Sequence, residues 1–243
     1  MNIYESERLL NEYLLFHYGA AAEVLPWDFG PVEALGFAER SVSVLLDRAL
    51  LPEPATALDL GCAVGRSCYE LAQVCSRVIG IDFSQSFVDA AEKVRSGSEV
   101  PYAQHVEGRE TRSLVAKRPE AGDATRISFE QGDAMNLRAD LGAFDVVHAA
   151  NLLCRLPEPQ RLIERLPTLV KPGGQLLLTT PCTWLEEFTP PQNWPQGGTF
   201  DWLKESLAGS FELAEHVDIP FLIREHARKF QWSVALGSRW IRL

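Results

Sequence analysis

The chain has 243 residues, and its 33 acidic residues exceed its 23 basic ones to leave a net charge of −10 at pH 7. Hydrophobic residues at 46% supply a core, which excludes a disordered or fibrous chain. No apolar run approaches the roughly 18 residues of a membrane helix, no basic-then-apolar leader opens the sequence, and the acid excess argues against a nucleic-acid footprint.

Residues 7–18 carry Leu10, Leu14, Leu15 and Tyr18 near helical spacing, and Gly19 ends the run. A turn-rich stretch around Pro26 and Pro31 follows. A second helix is expected from Val32 or Ala38 to Leu50, stopped by Pro52 and Pro54. Strands are then expected at 55–60, 77–81, 127–130, 144–149 and 175–180, with helices at 66–75, 84–95 and 159–170. Ser84 is the N-cap of the helix it opens. Residues 97–125 form a polar insertion that suits a hairpin, and residues 181–198, rich in Pro, Trp and Gly, read as a long loop. A helix over 200–207 precedes two closing strands, 211–219 and 230–236, antiparallel to each other. This alternation predicts an α/β, doubly wound, mostly parallel sheet with helices on both faces, in one domain over 1–243. Residues 1–50 would be its helical lid.

Cys62, Cys68, Cys75, Cys154 and Cys182 are odd in number and form no Cys-x-x-Cys pair, and the histidines show no ligand spacing. Reduced thiols, a cytoplasmic protein and no bound metal are the expectation.

The richest motif is LDLGCAVGRS at 58–67. A strand ends in Asp59, turns through Gly61 and Gly65, and enters a helix. Glycines let backbone approach a ligand closely, and a helix start favours negative charge. The dinucleotide pattern Gly-x-Gly-x-x-Gly is absent, because Ala63 stands between the two glycines. Strand two ends in Asp82, 23 positions after Asp59, where an acidic residue can accept from ribose hydroxyls. A third signal, QGDAM at 131–135, follows strand three.

Together these resemble the motifs of class I S-adenosylmethionine-dependent methyltransferases, with Ala63 replacing the usual middle glycine. The resemblance implies a Rossmann-like, seven-stranded sheet with an antiparallel C-terminal strand. It also implies a donor site of Asp59, Gly61, Cys62, Ala63 and Gly65 in the loop. Asp82 would take the ribose hydroxyls and Phe83 would lie against adenine. Asp133 would accept from the adenine amine, and the Ala134 or Met135 N–H would meet the ring. Arg40, on the helix before strand one, would meet the donor's carboxylate. Asn151, after strand four, would border both donor and acceptor.

Four further strings narrow the resemblance: NEYLLFHYG at 11–19, NLLCRL at 151–156, TWLEE at 183–187 and FLIREHARKFQW at 221–232. They resemble the 4-mercaptohistidine (5-thiohistidine) N1-methyltransferases of ovothiol biosynthesis, over nearly the whole chain. In that family the domain stands alone or is fused behind a sulfoxide synthase. The synthase portion is absent from these residues, so a stand-alone enzyme is expected, with a separate synthase as its functional partner.

The implied reaction methylates the side-chain-proximal imidazole nitrogen of 5-thiohistidine and releases S-adenosylhomocysteine. Arg224, and after it Arg155, is the candidate for the acceptor's carboxylate, since the guanidinium fork matches it. Glu186, Glu187 and Glu225 are candidates for its amine. Tyr13, His17, Asn151 and His226 could hydrogen-bond the imidazole, and Tyr18, Trp184 and Trp232 could wall it. Cys154 could meet the sulfur. Residues such as Tyr13, Tyr18, Phe16 and Trp232 are more often core residues than ligand walls. The strings at 11–19 and 221–232 are expected to close as a lid. Alternatives that share these features are a methyltransferase for another amino-acid-like acceptor, at nitrogen or sulfur, a silent donor-binding subunit, and a nicotinamide-dependent oxidoreductase, against which the glycine spacing argues.

Overall fold

A computed structural model describes residues 3–243; Met1 and Asn2, which open the expected 1–50 segment and the stretch tested for a leader, lie outside the described residues. Helix α1 (Glu7–Tyr18) starts at Ser6, whose side chain accepts the Leu9 N–H, and stops at Gly19. A short α2 (Ala21–Val24) follows. The single helix expected up to Leu50 breaks into a turn at Val32–Ala34, α3 (Phe37–Ser43) and a turn at Arg48–Leu50. Gly36 enters α3 from a left-handed φ of 64°, and Asp47 caps the last turn through the Ala49 N–H. Both devices restart the backbone hydrogen bonding rather than continue it.

The alternating part follows in order: β1 (Thr56–Leu60), α4 (Arg66–Leu71), β2 (Arg77–Asp82), α5 (Gln85–Arg95), the hairpin β3 (Val100–Glu107) and β4 (Glu110–Ala116), β5 (Ile127–Gln131), β6 (Phe144–Ala150), α6 (Pro159–Leu169), β7 (Val170–Thr180), α7 (Thr199–Leu207), β8 (Phe211–His226) and β9 (Lys229–Arg242). Helix α4 ends at Leu71, short of the expected Cys75, and its last turns loosen into the approach to β2. Ser84 caps α5 by accepting the Phe87 N–H.

Seven strands form one sheet in the order β5-β2-β1-β6-β7-β9-β8. All neighbours are parallel except β9, which runs antiparallel to both β7 and β8. From β1 the chain winds outward through β2 to β5 and then returns to β6. The carboxyl ends of β1 and β6 therefore open a crevice at the point where the winding reverses. One face of the sheet is covered by a cluster that includes Leu14, Phe37, Cys68 and Phe87, the other by one that includes Leu162, Leu166, Leu203 and Leu207. The sheet is thus closed on both faces, which leaves its strand ends for ligands.

The closing strands are longer than their hydrophobic pattern suggests. N-terminal to Leu236, β9 pairs with β8 alone, and the two form a hairpin through the turn at 227–228. The expected strand over 230–236 lies almost wholly in this ribbon; what the pattern missed in β9 is 237–242, in the sheet body, where Gly237, Ser238, Arg239 and Arg242 break the apolar alternation. The Ala227 N–H donates to the Val106 carbonyl at 3.1 Å, so this ribbon meets the separate β3–β4 hairpin. No helix among the described residues is long and apolar enough to cross a membrane.

Candidate functional site

Three non-glycine residues among those described adopt left-handed backbone: Ala63 (φ 49°), Asn151 (φ 52°) and Cys182 (φ 54°). They follow β1, β6 and β7, three neighbouring strands, at the same edge. Such conformations cost on the order of 1–2 kcal/mol each and concentrate where backbone is shaped around a ligand. Gly61 (φ 68°) and Gly65 (φ 86°) complete the first loop, and a Cβ on Gly65 would run into the Phe129 ring. The sequence LGCAVG therefore has glycine where the turn demands it, and Ala63 where it tolerates a methyl group.

Asp82 ends β2 beside this loop. One carboxylate oxygen accepts the Ala63 N–H at 2.8 Å and the other accepts the Ser84 N–H at 2.9 Å. Burial raises this carboxyl to about 6, against the lowering effect of both bonds. A carboxylate offers about four acceptor directions, so two remain. The Phe83 ring is 56% exposed at the same strand end, an apolar face without cover. Next along the edge, the Gly132 N–H donates to the Asp82 carbonyl at 2.9 Å and locks the β5 loop to β2. Asp133 accepts the Met135 N–H at 2.8 Å. That bond engages Met135, so Ala134 is the better placed of the two expected backbone donors.

Asp59 plays a different part from the expected direct one. It is buried, and its carboxylate is filled by the Ser67 hydroxyl at 2.5 Å, the Cys68 thiol at 3.2 Å and His148 Nδ1 at 2.7 Å. Burial alone would raise its carboxyl, but His148, Ser67 and Cys68 outweigh that and hold it below the usual range. Asp59 braces the loop from beneath rather than facing the crevice. Cys62 is likewise buried, and burial raises its thiol to about 11. Its thiol is then protonated at neutral pH and packs as a small apolar group.

Helix α1 lies across the loop. The Tyr18 hydroxyl donates to the Val64 carbonyl at 2.6 Å, so Tyr18 anchors α1 to the loop instead of walling an acceptor. His17 lies within electrostatic reach of Asp59 and Arg66, and burial pushes its imidazole down to about 3. Its Nδ1 is buried with no hydrogen-bond partner, and so is Arg66 Nη1. The other Arg66 nitrogen, Nη2, pairs with Glu39. An unpaired buried polar atom costs about 1–3 kcal/mol, so each of these two atoms near the glycine loop has capacity for a polar partner.

The acceptor side opens beyond β6. Asn151 is tied to β7: its N–H bonds Thr179, and its Oδ1 accepts the Thr179 hydroxyl at 3.0 Å, which leaves the Nδ2 end for other use. Arg155 anchors one guanidinium nitrogen on the Cys154 and Thr183 carbonyls, both at 3.1 Å, with its carbon 4.7 Å over the Phe188 ring. Tyr4 lies within electrostatic reach of Arg155, and its ring contacts Tyr13, Phe87 and Phe188. Tyr13 packs on Phe87 at 4.9 Å. Burial raises the Tyr4, Tyr13 and Cys154 pKa values, so all three keep their protons near pH 7.

Several expected residues, Glu225 among them, are not brought to this crevice. Arg224 is buried, and its guanidinium donates to the Glu23, His226 and Ala227 carbonyls. His226 sits at the ribbon turn, where its Nδ1 accepts the Arg228 N–H at 3.2 Å. Both line a cleft of about 470 Å³ with Arg8, Asn11, Glu12 and His105. At 100° per residue, positions 8, 11, 12 and 15 share one face of α1, while Tyr13 and His17 lie on the opposite face. The 11–19 and 221–232 strings do meet, but across the outer face of α1. Arg40 donates to the Leu35 and Pro220 carbonyls and ties α3 to β8. Glu186 is exposed on the 181–198 loop, and Trp232 is 56% exposed on the ribbon. Trp184 packs edge-on to Trp202 and donates to Thr199.

Sequence reasoning missed Arg66, Tyr4 and Phe188 as site residues. Arg66 directly follows the last glycine of the motif, a signal that was available. Tyr4 and Phe188 carry no motif, because tertiary packing alone brings them over the crevice.

Comparison with known proteins decides the class. The profile of a family described as a methyltransferase domain matches residues 35–230. The chain belongs to this methyltransferase family. A ubiquinone biosynthesis O-methyltransferase from Coxiella burnetii is 29% identical over 123 residues, which is 51% of this chain and 42% of that protein. One from Xanthomonas euvesicatoria is 30% identical over 129 residues, 52% of this chain and 43% of that protein. The similarity thus spans less than half of these relatives' length. Among solved structures, a methyltransferase from Methanosarcina mazei superposes with a TM-score of 0.55 at 19% identity, covering 80% of this chain and 95% of that one. The N-methyltransferase NodS from Bradyrhizobium japonicum, in complex with S-adenosylhomocysteine, gives 0.50 at 17%, covering 77% and 78%. These structures share the fold, a Rossmann-like sheet with one antiparallel strand.

The methyltransferase family carries S-adenosylmethionine as its donor, and the crevice fits it. The donor presents a ribose diol, an adenine ring and a zwitterionic amino-acid end. Asp82 has acceptor capacity for the diol, Phe83 and the Asp133–Ala134 loop suit the base, and the unpaired Arg66 and His17 nitrogens suit the charged end.

Proposed function

We propose that this methyltransferase acts on the side-chain-proximal ring nitrogen of 5-thiohistidine, giving ovothiol A and S-adenosylhomocysteine. The observation that carries the reading is Arg155, a cation held over Phe188 on the wall of the crevice that Asn151 and Tyr13 also line, where burial keeps Tyr13 and Cys154 protonated. A pocket of this kind favours an acceptor that brings a carboxylate for the Arg and its own lone pair for the attack. An unperturbed imidazole, with a pKa of about 6.5, is mostly neutral near pH 7 and needs no base to become nucleophilic. A phenolic acceptor, with a pKa of about 10, would need one. His17, pushed down to about 3, is too weak for that task.

When bound, S-adenosylmethionine supplies an electrophilic methyl group on a sulfonium. The chain's part is then alignment. Arg155 fixes the acceptor's carboxylate, in place of Arg224. Asn151, held by Thr179 with its amide N–H₂ end available, sets the ring's tautomer and angle. Tyr13, Phe188 and the N-terminal residues to about 50 exclude water, which favours attack at reacting-atom distances of about 3–3.5 Å. Glu186, on the adjacent loop, is the candidate for the acceptor's amine. The five free cysteines suit a reducing compartment, so a cytoplasmic protein is the matching setting. A separate sulfoxide synthase, as the functional partner, would supply the acceptor.

The test is turnover of donor with 5-thiohistidine, histidine and a phenolic acceptor, with the product's methyl position assigned by NMR. Methylation of 5-thiohistidine at the proximal nitrogen supports the proposal. Methylation of the phenol, or of plain histidine in preference, would refute it.

A further inference from the structure

The cleft of about 470 Å³ lies on the outer face of α1, opposite Tyr13 and His17. Its walls are α1, the β3–β4 hairpin and the β8–β9 ribbon, and hydrogen bonds join them. Asn11 Oδ1 accepts the Ala103 N–H at 3.2 Å, and the Ala227 N–H donates to the Val106 carbonyl at 3.1 Å. The Gln104 amide donates to the Glu23 carbonyl at 2.9 Å, just beyond α1. The cleft is therefore built into the fold. Its volume is in the range of small-molecule sites and exceeds what a lone inorganic ion would fill.

Charge selects the occupant. At the rim Arg8 pairs with Glu12 at 2.8 Å and Lys229 with Glu225 at 2.7 Å, so these charges cancel. Arg224 is left over. It is 8% exposed, and its bonds run to the Glu23, His226 and Ala227 carbonyls, which solvate the cation without neutralising it. Among the described residues no carboxylate pairs with it. A buried charge without a counterion is costly, and here it lines a cleft in a chain whose net charge is −10. A guanidinium has five N–H groups, and the three bonds leave one on each terminal nitrogen. His226 adds a donor: its Nδ1 accepts the Arg228 N–H at 3.2 Å, so the neutral ring carries its proton on Nε2.

We propose that this cleft is a second small-molecule site, for an organic carboxylate, with Arg224 as its anchor and His226 as an additional donor. The two remaining Arg224 N–H groups can each take one carboxylate oxygen. Leu15 and Ala103 offer apolar surface to the rest of the ligand. The cleft shares no residue with the crevice, so it stands whatever the methyl acceptor proves to be.

The test is an NMR titration of protein ¹⁵N-labelled at histidine and saturated with S-adenosylhomocysteine. The probes are sodium butyrate and, at matched ionic strength, butylammonium chloride. The His105 and His226 rings meet edge to face at 5.8 Å and both line the cleft, so their signals report its filling. His105→Gln and His226→Gln assign them. Butyrate should shift both signals saturably, and butylammonium chloride should not. Arg224→Lys keeps the charge but not the fork, and should weaken butyrate about tenfold. Arg155→Ala, in the crevice, should leave the butyrate response unchanged. An unaltered butyrate affinity in Arg224→Lys, or equal responses to the two salts, would overturn the site. Loss of the response in Arg155→Ala would put butyrate in the crevice and overturn it as well. Should Arg224→Lys fail to fold, Thr111→Trp reads the same point from the exposed side of the hairpin, by filling the cleft. It should abolish the butyrate response, and an intact response would overturn the site.

Discussion

The donor edge and the acceptor wall face each other across one crevice, yet they are built in opposite ways. At the donor edge each group sits within a few residues of a strand end, and backbone bonds fix it: Ala63 and Ser84 to Asp82, Gly132 to the Asp82 carbonyl, Met135 to Asp133. At the acceptor wall the groups come from residues 4, 13, 151, 155 and 188, and side chains hold one another. The contrast separates what a fold supplies from what a particular enzyme adds. On the proposed reading, donor recognition follows from the sheet's register. Acceptor recognition follows from packing across long sequence separations, so a few substitutions can re-aim it.

The sharpest break of this contrast is expected from Asp82→Ala. It removes an anion that accepts charge-assisted bonds, and S-adenosylhomocysteine affinity by calorimetry should fall roughly a hundredfold. An unaltered affinity would move the donor away from β2. Arg224→Ala should separate the regions in another sense. It leaves the half-buried His226 and Ala227 carbonyls without this donor, while the Glu23 carbonyl keeps the Gln104 amide, so stability in urea should drop by about 1–2 kcal/mol and the acceptor's KM in the folded protein should stay at the wild-type value. A raised KM would return Arg224 to the acceptor site.

Arg155→Ala should do the reverse: acceptor KM up about thirtyfold, with donor affinity unchanged. A change in both would mean that the two regions are not separable. pH should act on the donor edge alone. Burial raises the Asp82 carboxyl from its ordinary range to about 6, so the anion that accepts from the ribose prevails above that pH and is lost below it. Donor affinity should be flat above about pH 7 and weaken about tenfold per unit below pH 6, and Asp82→Asn should abolish that slope. The smallest effect is expected from Tyr18→Phe. Losing one bond to the Val64 carbonyl should cost about 1 kcal/mol of stability and slightly loosen donor binding, by thermal shift with and without S-adenosylhomocysteine.

What the sequence determined by itself is the local part. The apolar runs ending at Leu60 and Ile81, the glycine turn from Gly61 to Gly65, and Asp82 at its distance from Asp59 specify parallel strands and a donor loop, because strand burial, turn geometry and capping depend on neighbours in the chain. The class of donor was legible for the same reason. Only the tertiary structure decided which arginine stands at the crevice. Arg155 and Arg224 both lie in unusual strings, but α1 separates them, with Tyr13 and His17 on one face and Arg8, Asn11 and Glu12 on the other. It also decided that Arg40 ties α3 to β8, that Asp59 braces the loop from below, and that Tyr4 packs on Tyr13, Phe87 and Phe188. A side chain's destination is set by the surfaces packed against its element, and those surfaces are brought together by folding rather than by proximity in sequence.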